Sequence, residues 1–154
     1  MNKPLRTPLD ADFAARVRAS FALQGAMATL GARMDVVEPG RVVLLLPHSP
    51  AVTQQHGFVH AGMVAAVLDT ACGYAASTLM PADAGVLTIE YKINLLAPAR
   101  GPLLRCEGEV TKSGRTISVA DGRCWQDGAD GQPSLVATMT ATLMTVTGRS
   151  DIKH

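Results

Sequence analysis

The stretch AGMVAAVLDTACGYAASTLM, Ala61 to Met80, contains no proline, is apolar on nearly every side of a helical projection, and is followed at once by Pro81. Such a run predicts a helix of about 18 residues, and a helix apolar all round is a buried one. Gly62 and Gly73 weaken it by about 1 kcal/mol each relative to alanine. That points to neighbouring backbone packed closely against the helix, with a sheet as the natural partner. Between His60 and Asp83 the only formally charged residue is Asp69, so this acid is either a compensated structural group or a chemical tool. Read as a membrane span, the run would carry Asp69 at mid-depth at a cost of roughly 2.5 to 3.5 kcal/mol. The expectation is a buried helix in a soluble domain.

Working outward, Phe13, Val17, Phe21 and Leu23 recur at an approximate helical period after Asp10, which predicts a short covering helix capped by that residue. Two strands follow, Ala32 to Val37 and Arg41 to Pro47, joined as a hairpin by Pro39-Gly40. Beyond the long helix come four strand-like segments: Gly85 to Leu96, Leu103 to Lys112, Thr116 to Gln126 and Ser134 to Val146. In the first, Leu87, Ile89, Tyr91, Ile93 and Leu95 alternate with Thr88, Glu90, Lys92 and Asn94, the pattern of a half-buried strand. The short connectors APARGP, KSGR and DGADGQP predict antiparallel neighbours in a meander. The expected class is α+β, a curved antiparallel sheet wrapped around one long helix, with a short N-terminal helix. Three segments are expected: residues 1–30 with the covering helix, the domain at 31–147, and a polar, frayed tail at 148–154.

A chain of 154 residues with a formal charge of +1 gives no global electrostatic argument for nucleic acid, an acidic polymer or a membrane surface. Cys72, Cys106 and Cys124 are an odd set without C-x-x-C spacing, which argues for buried free thiols in a reducing compartment and against a zinc site or disulfide framework. The opening MNKPLRTPLDAD has no apolar signal region, so a cytoplasmic location is expected.

Gly62 and Asp69 lie seven residues apart, close to two helical turns, and so point the same way about 10 Å apart along the axis. The helix start offers free N–H groups and the positive end of the helix dipole to a carbonyl oxygen gaining charge. Asp69 offers a carboxylate, but within one chain it stands far from that same carbonyl. Two helices antiparallel across a dimer interface would bring the Asp of one to the start of the other, giving two equivalent sites.

The pattern Gln54, six positions before His60, then H-A-G, then Asp69 nine positions after the histidine, with VLTIEYKINLLAPARG from Val86 to Gly101, resembles the PaaI-like hotdog-fold acyl-CoA thioesterases. The resemblance covers about Gly31 to Val146. It implies a hotdog fold and an Asp69 that activates water or attacks the thioester carbonyl. Gln54 would orient the water or the substrate. The family's H-G-G is H-A-G here, so the oxyanion donor falls on the Ala61 N–H, with Gly62 beside it and His60 shaping the loop. Thr88 matches a hydroxyl that assists the water. Lys112, Gly114 and Arg115 of the KSGR turn would meet the phosphates of CoA, with Lys92 and Arg100 as weaker candidates. CoA belongs to the substrate, so no cofactor and no metal are implied, and self-association as a homodimer or a dimer of dimers is expected. His56 has no role in this pattern. Two other functions fit the fold: an enoyl-CoA hydratase or dehydratase, which would place acid and histidine differently, and a non-catalytic acyl-CoA or metabolite sensor, which would not need Gln54, His60 and Asp69 together.

Overall fold

Helix α3 (Ala61–Ser77) crosses the inner face of one six-stranded sheet in the computed structural model, which describes residues 6–128 and 130–152. Before it come α1 (Phe13–Ala22), α2 (Gly25–Leu30), β1 (Arg33–Glu38) and β2 (Arg41–Pro47). After it come β3 (Gly85–Leu95), β4 (Leu103–Lys112), β5 (Ile117–Asp127) and β6 (Pro133–Val146). This is the hotdog architecture. The strand order is β1-β2-β4-β5-β6-β3, antiparallel at every pairing. One expectation therefore changes. The APARGP connector does not join neighbours: β3 lies at the sheet edge beside β6, while β4 inserts between β2 and β5. Pairing is decided by which partners cover α3, and a short connector does not reveal that it crosses the sheet.

Alternate residues of β2, β4, β5 and β6 form the core with α3. Leu44, Leu46, Leu104, Val110, Ala120, Ala137, Ala141 and Leu143 lie opposite Val64, Val67, Leu68, Ala71 and Ala75 of the helix, all buried. The three thiols are buried and free; Cys106 and Cys124 face each other across β4 and β5 with sulfurs 3.4 Å apart. Among the described residues no helix is long and apolar enough to cross a membrane.

Close approach of helix to sheet does exist, but the glycines that permit it belong to the sheet. Gly108 and Gly122 are cross-strand partners beneath the middle of α3. A Cβ on Gly108 would stand 2.4 Å from the Ala71 carbonyl carbon, and one on Gly122 would stand 3.2 Å from the Cys72 Sγ. Among the described residues, a Cβ on Gly62 would meet only the His60 ring, at 3.1 Å, and one on Gly73 would meet nothing within 4 Å.

The far end of α3 is tied down by two side chains. The buried Thr78 hydroxyl accepts from the Gly40 N–H at 2.7 Å and donates to the Ala75 carbonyl at 2.6 Å, joining the helix to the β1–β2 turn. Arg16 donates to the Ser77 hydroxyl and to the Ser77 and Met80 carbonyls, a cation at the negative end of the helix dipole. Asp10 holds that guanidinium at 2.7 Å. It is thus not the cap of α1, whose N-cap is Asp12 without a side-chain cap bond. In the polar tail Ile152 folds back onto Gly85, where a Cβ would stand 2.6 Å from its Cγ2, while residues 153 and 154 lie outside the described residues.

The seating of α3 on the sheet generates a direct test. Gly108→Ala forces a methyl into helix backbone and is expected to cost about 3 kcal/mol, the upper range for overpacking, lowering Tm by roughly 10 °C for a chain of this size. A wild-type Tm would show that α3 can move off the sheet at no cost.

Candidate active site

His60 opens α3. Its backbone is extended, with φ −62° and ψ 137°, and its Nδ1 accepts from the Gly62 N–H at 2.9 Å, so this imidazole is the helix cap and carries its proton on Nε2. The Met63 and Val64 N–H groups both return to the His60 carbonyl. Of the first amides, that of Ala61 alone has no acceptor among the described residues, and Ala61 is one of the residues lining an open cavity of about 560 Å³. The N–H of Gly62, the residue beside it, is engaged by His60. No non-glycine residue among those described has positive φ, so the Cβ of Ala61 introduces no strain. The preceding loop is held by Val59 N–H to Ala99 and His60 N–H to Val52. Within it the Gln54 amide oxygen accepts from the His56 N–H, and Gln54 lines the same cavity as His60 and Ala61.

Asp69 faces a different space. Its Oδ1 accepts from the Thr88 hydroxyl at 2.8 Å, and among the described residues it has no other hydrogen-bond partner and no paired cation. Burial pushes its pKa up from the ordinary 3.8, partly offset by the Thr88 hydrogen bond. Thr88 reaches it because β3 bulges. Thr88 lies opposite Leu143 and Glu90 opposite Thr142, which leaves Ile89 as the extra residue. Leu143 and Ala141 are buried on the helix side, so Thr88 shares that side with Tyr91, Ile93 and Leu95. Strict alternation placed Thr88 on the opposite face, with Glu90, Lys92 and Asn94; the bulge corrects this, and the same shift turns Leu87 outward.

The site residues thus form two sets within one chain. Gln54, His60 and Ala61 line the cavity at the helix start, whereas Asp69 and Thr88 line another of about 410 Å³, and no described residue lines both. The second cavity also has walls that sequence reasoning missed: Gly73 and Tyr74 from α3, Ser20 and Gln24 from the N-terminal segment, and Ile152 from the tail. Gly73 was findable by helical spacing, four residues beyond Asp69; Tyr74, five residues on, turns to another side of the helix, and the others come from segments remote in sequence. Of the KSGR turn, Gly114 and Arg115 line a third cavity, of about 440 Å³, together with Arg6 near Met80, while Lys112 does not. Arg100 instead lies over the Phe58 ring at 4.6 Å. Cys72, beside Asp69 along α3, is excluded as a nucleophile, because burial and then the charges of Asp69 and Asp121 push its thiol up to about 12. Among the described residues no group of His, Cys, Asp and Glu is arranged to hold a metal.

Comparisons with known proteins converge on one family. The model of the thioesterase superfamily matches residues 56–131. A protein of Halobacterium salinarum described as a candidate esterase is 33% identical over 139 residues, 85% of this chain and 91% of that one. The crystal structure of a thioesterase family protein from Silicibacter pomeroyi superposes with a TM-score of 0.85 at 54% identity, covering 88% of this chain and 99% of that one. The E. coli PaaI protein from the phenylacetic acid degradation operon shares the fold, with a TM-score of 0.77 at 18% identity over 91% of this chain and 97% of its own.

The environment of Asp69 predicts a pH-dependent stability. Because its folded pKa is raised, its contribution is fully present below the ordinary value of 3.8 and is lost as pH rises through the folded value. Above its folded value the ionised carboxylate therefore opposes folding. Asp69→Asn is expected to raise Tm at pH 7, with the gain shrinking as the pH falls, in thermal melts from pH 3.5 to 7.5. An Asn variant less stable than wild type at pH 7 would refute this account of the carboxylate.

Proposed function

The chain belongs to the thioesterase superfamily, and from that premise we propose that it hydrolyses acyl-CoA thioesters to a free acid and CoA. The observation that carries the reading is Asp69: a half-buried carboxylate facing a cavity, oriented by Thr88 and neutralised by no cation among the described residues. A raised pKa makes a carboxylate a better base, which suits it to take a proton from water as the water attacks the carbonyl; direct attack by the carboxylate is the other route open to it. The developing negative charge on the carbonyl oxygen is met by the Ala61 N–H at the positive end of α3. Gln54, on the same cavity, orients water or substrate, and His60 acts by holding the turn and withdrawing the Gly62 N–H.

Both groups are needed at one carbonyl, yet they line separate cavities in one chain. A homodimer resolves this by bringing Asp69 of one subunit to the helix start of the other. The edge strand β3 supports that assembly. Among the described residues one of its edges is unpaired, and it exposes Ile89 at 53%, Tyr91 at 44% and Leu95 at 54%, an apolar edge of the kind that self-associates. The CoA phosphates would be met at the KSGR turn by Arg115, with Arg6 lining the same cavity, and by Lys112 of the same turn.

Two substitutions test the chemistry in a thiol-release assay over acyl-CoAs of different lengths. Asp69→Asn is expected to lower kcat by about 10² to 10⁴ with the dimer intact by size-exclusion chromatography. Ala61→Pro removes one N–H at the first helical position, where proline is well tolerated after an extended residue such as His60. It is expected to lower kcat by roughly 10² to 10³ with an unchanged Tm. Undiminished hydrolysis by Asp69→Asn would overturn the mechanism. Hydration of enoyl-CoA without thiol release would favour the hydratase alternative, and tight binding with no release from any thioester would favour a sensor.

A further inference from the structure

The crossover from β3 to β4, residues 96–102, passes β6 and β5 on its way to a place beside β2, and it is pinned at each of the three. At β6 the Val136 carbonyl accepts from the Leu96 and Ala97 N–H groups at 2.8 and 3.2 Å. Just beyond β2 the His48 N–H donates to the Pro102 carbonyl at 2.9 Å. Between these points, at β5, the tie is one side chain. The Gln126 Oε1 accepts from the Arg100 N–H at 2.7 Å and from the Gly101 N–H at 2.9 Å, and its Nε2 donates to the Pro98 carbonyl at 3.1 Å.

Those partners dictate the residue type. Two N–H groups and one carbonyl call for an acceptor and a donor on one small planar group, which a side-chain amide supplies and a carboxylate, an ammonium or a guanidinium does not. Pro98 and Pro102 bring no N–H of their own, so the crossover has fewer bonds to make by itself. Gly101 lets the glutamine lie against the chain: a Cβ there would stand 3.1 Å from the Gln126 Cβ.

What the clamped segment holds is the start of α3. Ala99 is buried, its carbonyl accepts from the Val59 N–H at 3.0 Å, and the Arg100 guanidinium lies over the Phe58 ring. Phe58 and Val59 immediately precede His60, the cap of α3, and Ala61. Ala97, Pro98 and Ala99 also share the cavity of about 560 Å³ with Gln54, His60 and Ala61. Gln126 lines a different cavity, with Leu103 and Trp125.

We propose that Gln126 is a positioning residue for the Ala61 N–H: it touches no reacting atom, and its three hydrogen bonds hold the crossover where Ala99 and Arg100 fix the turn that aims that N–H. This rests on the hydrolase reading and adds to it a residue outside the site. An oxyanion donor acts over a narrow range, about 2.7 to 3.1 Å from the developing charge. A misplacement of about 1 Å, caused far from the chemistry, can cost about 10²-fold in rate. Loosening the crossover therefore lowers kcat and leaves KM, set by substrate groups bound elsewhere, almost unchanged.

The test compares wild type, Gln126→Glu and Gln126→Leu, each also in the Ala61→Pro background. It measures thiol release from acetyl-, hexanoyl- and decanoyl-CoA, Tm, and amide hydrogen exchange by NMR. Gln126→Leu is expected to lower kcat by about 10- to 100-fold with KM within about twofold of wild type. Gln126→Glu keeps an acceptor for the two N–H groups and loses the donor to Pro98, so its kcat should fall between the two. In the Ala61→Pro background the same substitutions should cost less than about threefold, because the group they position is already gone. Exchange at Val59 should accelerate in Gln126→Leu at least about tenfold more than at Leu44 in β2. Gln126→Glu gives the same two readouts should the leucine variant not fold. An equal kcat loss in the Ala61→Pro background, or no loss in either, would overturn the proposal and leave the hydrolase reading intact. Equal acceleration at Val59 and Leu44 would also overturn it, as the mark of a global loss of stability. Should wild type cleave no thioester while exchange accelerates selectively at Val59, the hydrolase reading would fall and the positioning of the helix start by Gln126 would stand.

Discussion

The seating of α3 on Gly108 and Gly122 is the contact on which the rest of the structure depends. With no Cβ on either strand, the helix backbone at Ala71 and Cys72 comes down onto the sheet, and the large side chains on either side of that contact complete the core. A helix held so closely cannot shift along or rotate on the sheet without collision. Its rigidity fixes where its start and its midpoint lie, and hence the positions of the Ala61 amide and the Asp69 carboxylate. Thr78 and Arg16 then secure the other end, so the polar positions of the helix rest on a close apolar fit.

Against that rigid frame the bulge at Ile89 is a local adjustment with chemical consequences. A regular β3 would have turned Thr88 away and left the carboxylate with no partner among the described residues. One added residue turns the hydroxyl inward while the strand beyond it stays in register with β6. The result is an acid held in position but not neutralised, which is unfavourable for folding when ionised and useful for proton transfer. Stability and reactivity pull in opposite directions at this residue, as is common where a site needs a strained or desolvated group.

Much of this was legible in the chain itself. The expected segments Arg41 to Pro47 and Leu103 to Lys112 coincide with β2 and β4, and Ala61 opens α3 as predicted. Proline and glycine punctuation together with apolar periodicity are local signals, and these elements obey them. The sheet order was not legible, because pairing β3 with β6 depends on contacts between residues far apart in sequence. The face of Thr88 was misread for a related reason: a bulge breaks period-two alternation without a mark in the residue types around it. Gly73 was read as a packing glycine, since a helix-weakening residue looks the same from sequence whether it admits a neighbour or leaves a space.

The sequence by itself determined the fold class and the element types other than α2, and it offered a set of chemically capable residues, because these follow from composition and from periods of a few residues. Only the tertiary structure decided which of those residues meet. It joined Asp69 to Thr88, gave His60 the cap of α3, left the Ala61 amide without an acceptor among the described residues, and separated the two sets into different cavities. It also moved the reason for close helix–sheet packing from α3 to β4 and β5. The physical reason is range: periodicity and turn chemistry act between near neighbours along the chain, whereas register, bulges and cavities are settled by steric fit between segments that meet only when the sheet closes around the helix.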